Sequence, residues 1–157
     1  MGLNVYYLKG DNMIQVAMVD GKPQNVNSGE IENKGIEISL GYWATGHLHF
    51  SANYSLPDMT YKILTAPEHK FYISGNYAKN RWNVSTGIQY IGNLYTQTTP
   101  PSVKESFILW NARISYQALK GLNLFLRGEN LLGQSYEIMV GYLMPKATVF
   151  GGIQWHF

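Results

Sequence analysis

A two-residue period in apolar side chains, repeated in segment after segment, limits what this chain can fold into. It is plainest at the end. There Ala147, Val149, Gly151, Ile153, Trp155 and Phe157 alternate with Thr148, Gly152, Gln154 and His156. Period two places successive side chains on opposite faces of a strand. Ile36, Ile38, Leu40 and Tyr42 oppose Glu37, Ser39 and Gly41. Leu48, Phe50, Ala52 and Tyr54 oppose His47, His49, Ser51, Asn53 and Ser55. Trp82, Val84, Thr86, Ile88 and Tyr90 oppose Asn83, Ser85, Gly87 and Gln89. Ile108, Trp110, Ala112, Ile114 and Tyr116 oppose Asn111, Arg113 and Ser115, with Leu109 a misfit. Leu122, Leu124 and Leu126 oppose Asn123, Arg127 and Glu129, with Phe125 on the polar side. Residues 69–78 follow more loosely through Phe71, Ile73 and Tyr77. Residues 3–18 read as one long strand with an irregularity at Gly10-Asp11. No segment carries a helical period, so the fold class is all-β, an antiparallel meander of about eight strands.

Alternation alone does not say which face is inside. Composition and connections bear on that. Charged residues make up 14 % of the chain, against about 25 % in soluble domains. The polar face is accordingly built from Ser, Asn, Gly and Gln rather than Lys and Glu. Aromatic residues (Tyr42, Tyr54, Tyr77, Trp82, Tyr90 and Tyr116) stand at the ends of the apolar faces, where an interfacial girdle belongs. Strands of roughly 9–12 residues suit a tilted crossing of a bilayer. Short connections (44–46, 79–80 and 118–121) alternate with long ones (19–32, 56–67, 93–106 and 131–146), and the long ones hold all six prolines. That is the arrangement of an outer-membrane barrel, with short periplasmic turns and long extracellular loops.

Other classes are disfavoured. A net charge of +2 without a basic cluster does not point to nucleic acid. The absence of Cys removes disulfides and thiolate metal sites. No run approaches the roughly 20 apolar residues of a spanning helix. Met1-Gly2-Leu3-Asn4 has the pattern of a strand interior and not of a signal peptide. The expectation is a chain whose N-terminus is a cut and whose C-terminus at Phe157 is authentic.

Leu122–Asn130, then Leu131-Leu132-Gly133-Gln134-Ser135-Tyr136, then Gly141-Tyr142-Leu143-Met144-Pro145 and the closing strand resemble the end of TonB-dependent outer-membrane receptors. Upstream, Asn33-Lys34-Gly35-Ile36-Glu37 and Ala66-Pro67-Glu68-His69-Lys70 are similar to two segments that start strands in that family. The likeness spans all 157 residues and only the C-terminal part of such a receptor. It is closest to siderophore or vitamin B12 receptors of Bacteroidetes-like bacteria. It implies a place in the outer membrane of a Gram-negative bacterium, within a barrel of about 22 strands filled by an N-terminal plug. Residues 1–157 would be a C-terminal β-barrel fragment without the plug, an open curved sheet when alone, and not transport-competent. The implied partners are outer-membrane lipid, the missing N-terminal barrel and plug, and TonB through that plug. No cofactor and no enzymatic activity are implied.

Candidate residues follow from this frame. Phe157, Trp155 and Ile153 resemble the terminal signal that barrel-assembly machinery reads by strand pairing. Glu37, Arg113, Arg127 and Glu129 would face the lumen as a polar network, Arg127 or Arg113 pairing with Glu129 across adjacent strands. Ligand contact would fall to the long loops, through Tyr95, Tyr136 and Tyr142. His47 and His49 share a face but lack a third ligand nearby, so they read as structural. No Ser nucleophile motif is present. Two further readings stay open. One is a complete eight-stranded outer-membrane barrel with an adhesive or structural role, and the other a soluble lipocalin-like binding barrel.

Overall fold

The computed structural model describes residues 1–12, 14–27, 31–60 and 62–156. Phe157 lies outside them. Among the described residues there are twelve strands: β1 (Gly2–Gly10), β2 (Ile14–Val19), β3 (Lys22–Asn27), β4 (Ile31–Thr45), β5 (Leu48–Met59), β6 (His69–Lys79), β7 (Trp82–Gln97), β8 (Val103–Leu119), β9 (Leu122–Glu129), β10 (Glu137–Met139), β11 (Tyr142–Leu143) and β12 (Thr148–Trp155). Eight form one sheet in the order β1-β4-β5-β6-β7-β8-β9-β12, every pair antiparallel. The order ends on β1 and β12, which do not pair with each other. The sheet is therefore open, and the reading as a closed eight-stranded barrel is corrected.

Register keeps the sequence period in phase across the sheet. Tyr54, Phe71, Tyr90 and Ile108 form one cross-strand row at the long-loop end. At the short-turn end Tyr42 pairs with Phe50, Leu48 with Tyr77, and Trp82 with Tyr116, the last two rings having centroids 4.6 Å apart. On β7, Trp82 and Tyr90 are about 26 Å apart along the strand at ~3.3 Å per residue, close to the ~25 Å apolar band of a membrane barrel. The face between these rows is open to the surroundings: Ile88 is 45 % exposed, Ile114 39 % and Ile153 71 %. Two of its polar side chains find partners within the sheet. The Trp110 Nε1–H donates to Thr86 Oγ1 at 2.7 Å, and that hydroxyl donates to the Asn111 carbonyl at 3.2 Å.

The opposite face carries the polar residues, interrupted by rings that lie over glycines. Phe125 is directly opposite Gly152, where a Cβ would stand 2.6 Å from its Cζ. Tyr6 covers Gly35 and Tyr72 covers Gly87 in the same way. A bulky ring fits on a polar face where a neighbouring strand offers no side chain, a pairing known to rescue glycine within sheets. Phe125, out of phase in the sequence pattern, has this physical reason.

Three expectations about the connections are corrected. Residues 3–18 are two strands. β1 ends at Gly10, and β2 leaves the main sheet to form a separate hairpin with β3. The turn between them is Asp20-Gly21, both at positive φ (50° and 74°), the dipeptide that hairpin turns of this kind require. The expected loop 93–106 is mostly strand, because β7 and β8 continue to Gln97 and from Val103. Register shifts at Ile91/Leu94 and Tyr95/Gln97 each add a residue to β7, which breaks the period-two count by which a strand is recognised. The segment 131–146 contains the hairpin of β10 and β11.

Candidate functional site

The buried residues of this chain are concentrated at the long-loop end rather than along the sheet. Ile91, Leu94, Phe107 and Tyr136 form the core cluster, with Leu109 and Met144 packed against it. The bulge explains the first two. Ile91 pairs with Phe107 and Leu94 with Glu105. β8 keeps its phase, so both side chains come to the polar-face side although one is odd-numbered and the other even. Leu109 shares that face, which gives the misfit of the sequence pattern a partner. The segment after β9 folds onto this patch, the Phe107 and Tyr136 rings having centroids 4.2 Å apart.

Asn130 fixes that fold. It is 5 % exposed and has φ +47°, a conformation Asn tolerates better than most residues. Its Nδ2 donates to the carbonyls of Gln134 (2.8 Å) and Pro145 (3.1 Å), and its Oδ1 accepts from the Gln134 N–H (3.1 Å). Its own N–H donates to Asn111 Oδ1 at 2.9 Å. One amide therefore ties both ends of a long segment to the end of β9. Gln134 completes the connection by accepting from the Ile108 N–H at 2.8 Å. Further out, the Glu137 N–H donates to Glu105 and the Val140 N–H to the Thr96 carbonyl. Burial pushes the Tyr136 hydroxyl above its ordinary range, with Glu129 adding to the effect, so the phenol stays neutral.

A second assembly lies on the other side of the sheet. Residues 63–68 run beside β7, with Thr65 and Ala66 hydrogen-bonded to Tyr95 and Glu68 to Gly92. Lys104 pairs with Tyr95 and shares the phase of Ile108 and Trp110, so both belong to the apolar-face side. Glu68 gathers the cluster: it accepts from Lys104, from Tyr95 Oη at 2.9 Å and from Asn93 Nδ2 at 2.8 Å. The Lys104 ammonium holds the Glu68 carboxyl below the usual carboxylate range, Tyr95 and Asn93 helping and partial burial opposing. The Lys104 and Lys62 ammoniums stand 4.7 Å and 5.8 Å from the Tyr95 ring centroid.

The residues singled out in the sequence are placed as follows. Arg113 and Arg127 are cross-strand partners. Arg127 pairs with Glu129 along its own strand rather than across to a neighbour, and Arg113 lies over the Phe125 ring at 4.6 Å. Glu37 accepts from Asn4 at 3.2 Å, between β4 and β1 at the opposite end of the strand order. The four do not come together as one network. Tyr95 and Tyr136 are 7 % and 9 % exposed, their rings engaged in loop packing, whereas Tyr142 is 66 % exposed. Trp155 and Ile153 are exposed on the edge strand β12. His49 sits beside Trp43 with ring centroids 4.6 Å apart, and His47 closes a turn on Thr45. Sequence reasoning missed Glu68, Asn93, Lys104 and Asn130. The available signal was Asn before Leu, at Asn93-Leu94 within the β7 bulge and at Asn130-Leu131 just past β9, where its side chain replaces backbone partners.

Two outcomes test these assemblies. Asn130→Ala should cost about 2–3 kcal/mol, the loss of several bonds from buried groups. The loss should be local: amides of Gln134, Val140 and Met144 lose hydrogen-exchange protection while β5 and β6 keep theirs, and uniform loss across the sheet would contradict the assignment. The second concerns acid. Because the folded Glu68 carboxyl titrates below its unfolded value of about 4.3, its contribution is fully present above that pH and disappears as pH falls through the lowered value. Protection of the Glu68 and Tyr95 amides should therefore drop below about pH 4. In Glu68→Gln it should be weak already at neutral pH and gain no further acid sensitivity there.

Comparison with known proteins agrees with this geometry. The family model described as TonB dependent receptor-like, beta-barrel matches residues 1–131. No curated protein matches the sequence. Among solved structures, the ferric-catecholate import receptor Fiu of E. coli K12 in its open form is 25 % identical with a TM-score of 0.67, over 82 % of this chain and 21 % of that one. The copper transporter OprC matches at a TM-score of 0.83 and 13 % identity, over 99 % of this chain and 28 % of its own. The ferric enterobactin receptor PfeA of Pseudomonas aeruginosa matches at 0.78 and 15 %, over 99 % and 28 %. The chain thus spans about a quarter of the length of these receptors. An open antiparallel sheet with one polar and one apolar face, matched over most of its length by this model, belongs to the TonB-dependent receptor β-barrel family.

Proposed function

We propose that this chain supplies the C-terminal strands of an outer-membrane receptor that imports a scarce ligand such as a siderophore or cobalamin. The observation that carries the reading is the open eight-stranded sheet, whose apolar face is exposed and whose end strands β1 and β12 each have one neighbour in the sheet order. An exposed strand edge and an exposed apolar face are both liabilities in water. Further strands would cover the first and lipid the second. The family is one of transport receptors, and the three neighbours cited carry ferric complexes or copper by name.

In this reading the polar face lines the lumen, with Glu37, Arg113, Arg127 and Glu129 along its wall. Tyr42, Tyr54, Tyr77, Trp82, Tyr90 and Tyr116 anchor the outer face at the two interfaces. Phe157, Trp155 and Ile153 are the terminal signal offered to the barrel-assembly machinery. TonB acts through a plug outside these residues. Tyr142, the exposed member of the three loop tyrosines, is the one best placed to meet a ligand. Transport belongs to the completed barrel. A soluble lipocalin-like barrel would enclose its apolar face, and here that face is open along the whole sheet.

The test is uptake by cells carrying the full-length gene or a disrupted one, supplied with radiolabelled ferric catecholate or cobalamin. Disruption should abolish energy-dependent uptake of one probe, and an uncoupler should do the same to the intact strain. Unchanged uptake of both by the disrupted strain, with the protein confirmed in the outer membrane of the parent, would contradict import of these ligands.

A further inference from the structure

The two ends of the sheet differ in charge. At the long-loop end cations are matched, Lys34 by Asp58 and Lys104 by Glu68. Asp and Glu are absent from residues 38–57, 69–104 and 106–128, the stretches that hold all the short turns. In or beside those turns stand Lys79, Arg81 and Lys120. None of these has a carboxylate partner among the described residues. Even counted against a terminal carboxylate, they leave positive charge in excess. The register puts them side by side. Arg81 Nη1 donates to the Ala118 carbonyl at 3.4 Å, and the Gln117 N–H donates to the Arg81 carbonyl at 2.8 Å. The β6–β7 turn therefore lies against the β8–β9 turn, which Leu119 and Leu122 close around Lys120. Lys79 pairs with Trp82 and keeps the phase of Ile73 and Tyr77, which places it on the apolar-face side. On that face is a groove of about 250 Å³, lined by Trp82, Ile114, Tyr116, Leu124 and Leu126 together with the intervening Ser115 and Phe125.

We propose, on the membrane reading above, that the short-turn end binds the headgroup phosphate of an anionic phospholipid. Lys79 and Lys120 are its basic contacts, and the groove takes the start of an acyl chain. Charge complementarity selects the occupant: unmatched ammoniums, no competing Asp or Glu, and an apolar groove on the same face. Leu124 is two residues beyond the start of β9 at Leu122, ~7 Å at ~3.3 Å per residue. One lipid can therefore span turn and groove. Trp82 and Tyr116, their ring centroids 4.6 Å apart, line the groove at the level where aromatic rings meet headgroups. A long lysine stem lies along apolar surface and delivers its charge to the interface. Arg81, tied to the Ala118 carbonyl, holds the two turns together. Each basic residue beside an anionic surface is worth about fivefold in binding.

The experiment uses the full-length protein extracted from membranes in non-ionic detergent, with lipid adducts read by native mass spectrometry during titration with phosphatidylglycerol or phosphatidylcholine. The intact protein should retain phosphatidylglycerol several-fold better than phosphatidylcholine. Lys79→Gln with Lys120→Gln should lose most of that preference, by about fivefold for each charge. Lys70→Gln, on the polar face beside Ser55, should lose none. Ile114→Trp, which fills the groove, should weaken retention of both lipids alike. Equal retention of the two lipids by intact protein, an undiminished preference in the double variant, or unchanged retention after Ile114→Trp would overturn the site. Displacement of the lipid by millimolar glycerol phosphate would overturn the lipid assignment in favour of a free anion. A protein that stays monomeric in buffer without detergent would instead sink the membrane reading beneath it.

Discussion

The rest of the structure depends on the antiparallel ladder, because it satisfies the backbone while leaving one face apolar. A strand that shows aliphatic side chains to its surroundings can do so in lipid only if its own N–H and C=O groups are paired within the sheet. Seven antiparallel pairings provide this between adjacent strands, while the outer edges of β1 and β12 have no neighbour in the sheet order. The Trp110–Thr86 bond shows the same economy at side-chain level, since an indole N–H on the apolar face finds its acceptor one strand away. With the backbone settled, the two faces are free to differ, and the period of two then decides everything about which residue meets which environment.

The ladder also explains why the packed core lies at one end. A two-faced sheet of this kind has no interior of its own, so burial has to come from segments that fold back on it. The segment after β9 does so on the polar-face side, clamped by Asn130, and residues 63–68 lie along β7, clamped by Glu68. Both clamps use a single side chain with several acceptors or donors to hold two pieces of chain. That is efficient where a loop would otherwise expose many backbone groups. The long-loop end is thus a structured surface rather than a set of free tethers. Its form is set by Asn130, Glu68 and the β7 bulges.

How much of this the sequence disclosed follows from the range of the interactions. Face assignment was legible because it needs only the parity of Ile36, Trp82 or Leu124 within one strand, and the register preserves it across the sheet. The aromatic rows were legible for the same reason. The β2–β3 hairpin was not legible although Asp20-Gly21 marks its turn, because Ile14, Val16 and Met18 read as a phase-shifted continuation of Leu3, Val5 and Tyr7 past Gly10-Asp11. The extensions of β7 and β8 were hidden by bulges, which shift the phase at Ile91 and Tyr95 and so imitate a loop. The clamps were not legible at all. Glu68 and Lys104 are thirty-six positions apart, and Asn130 meets Pro145 across fifteen, so only the folded register brings them together.

The central claim, that the even-numbered face of β7 meets lipid and the odd-numbered face the lumen, is tested most directly by spin labels placed singly from 82 to 90 in the membrane-embedded full-length protein. Accessibility to oxygen, which concentrates in lipid, should peak at 84, 86 and 88. Accessibility to a water-soluble nickel chelate should peak at 83, 85, 87 and 89. A reversed phase, or the same access at every position, would contradict the account.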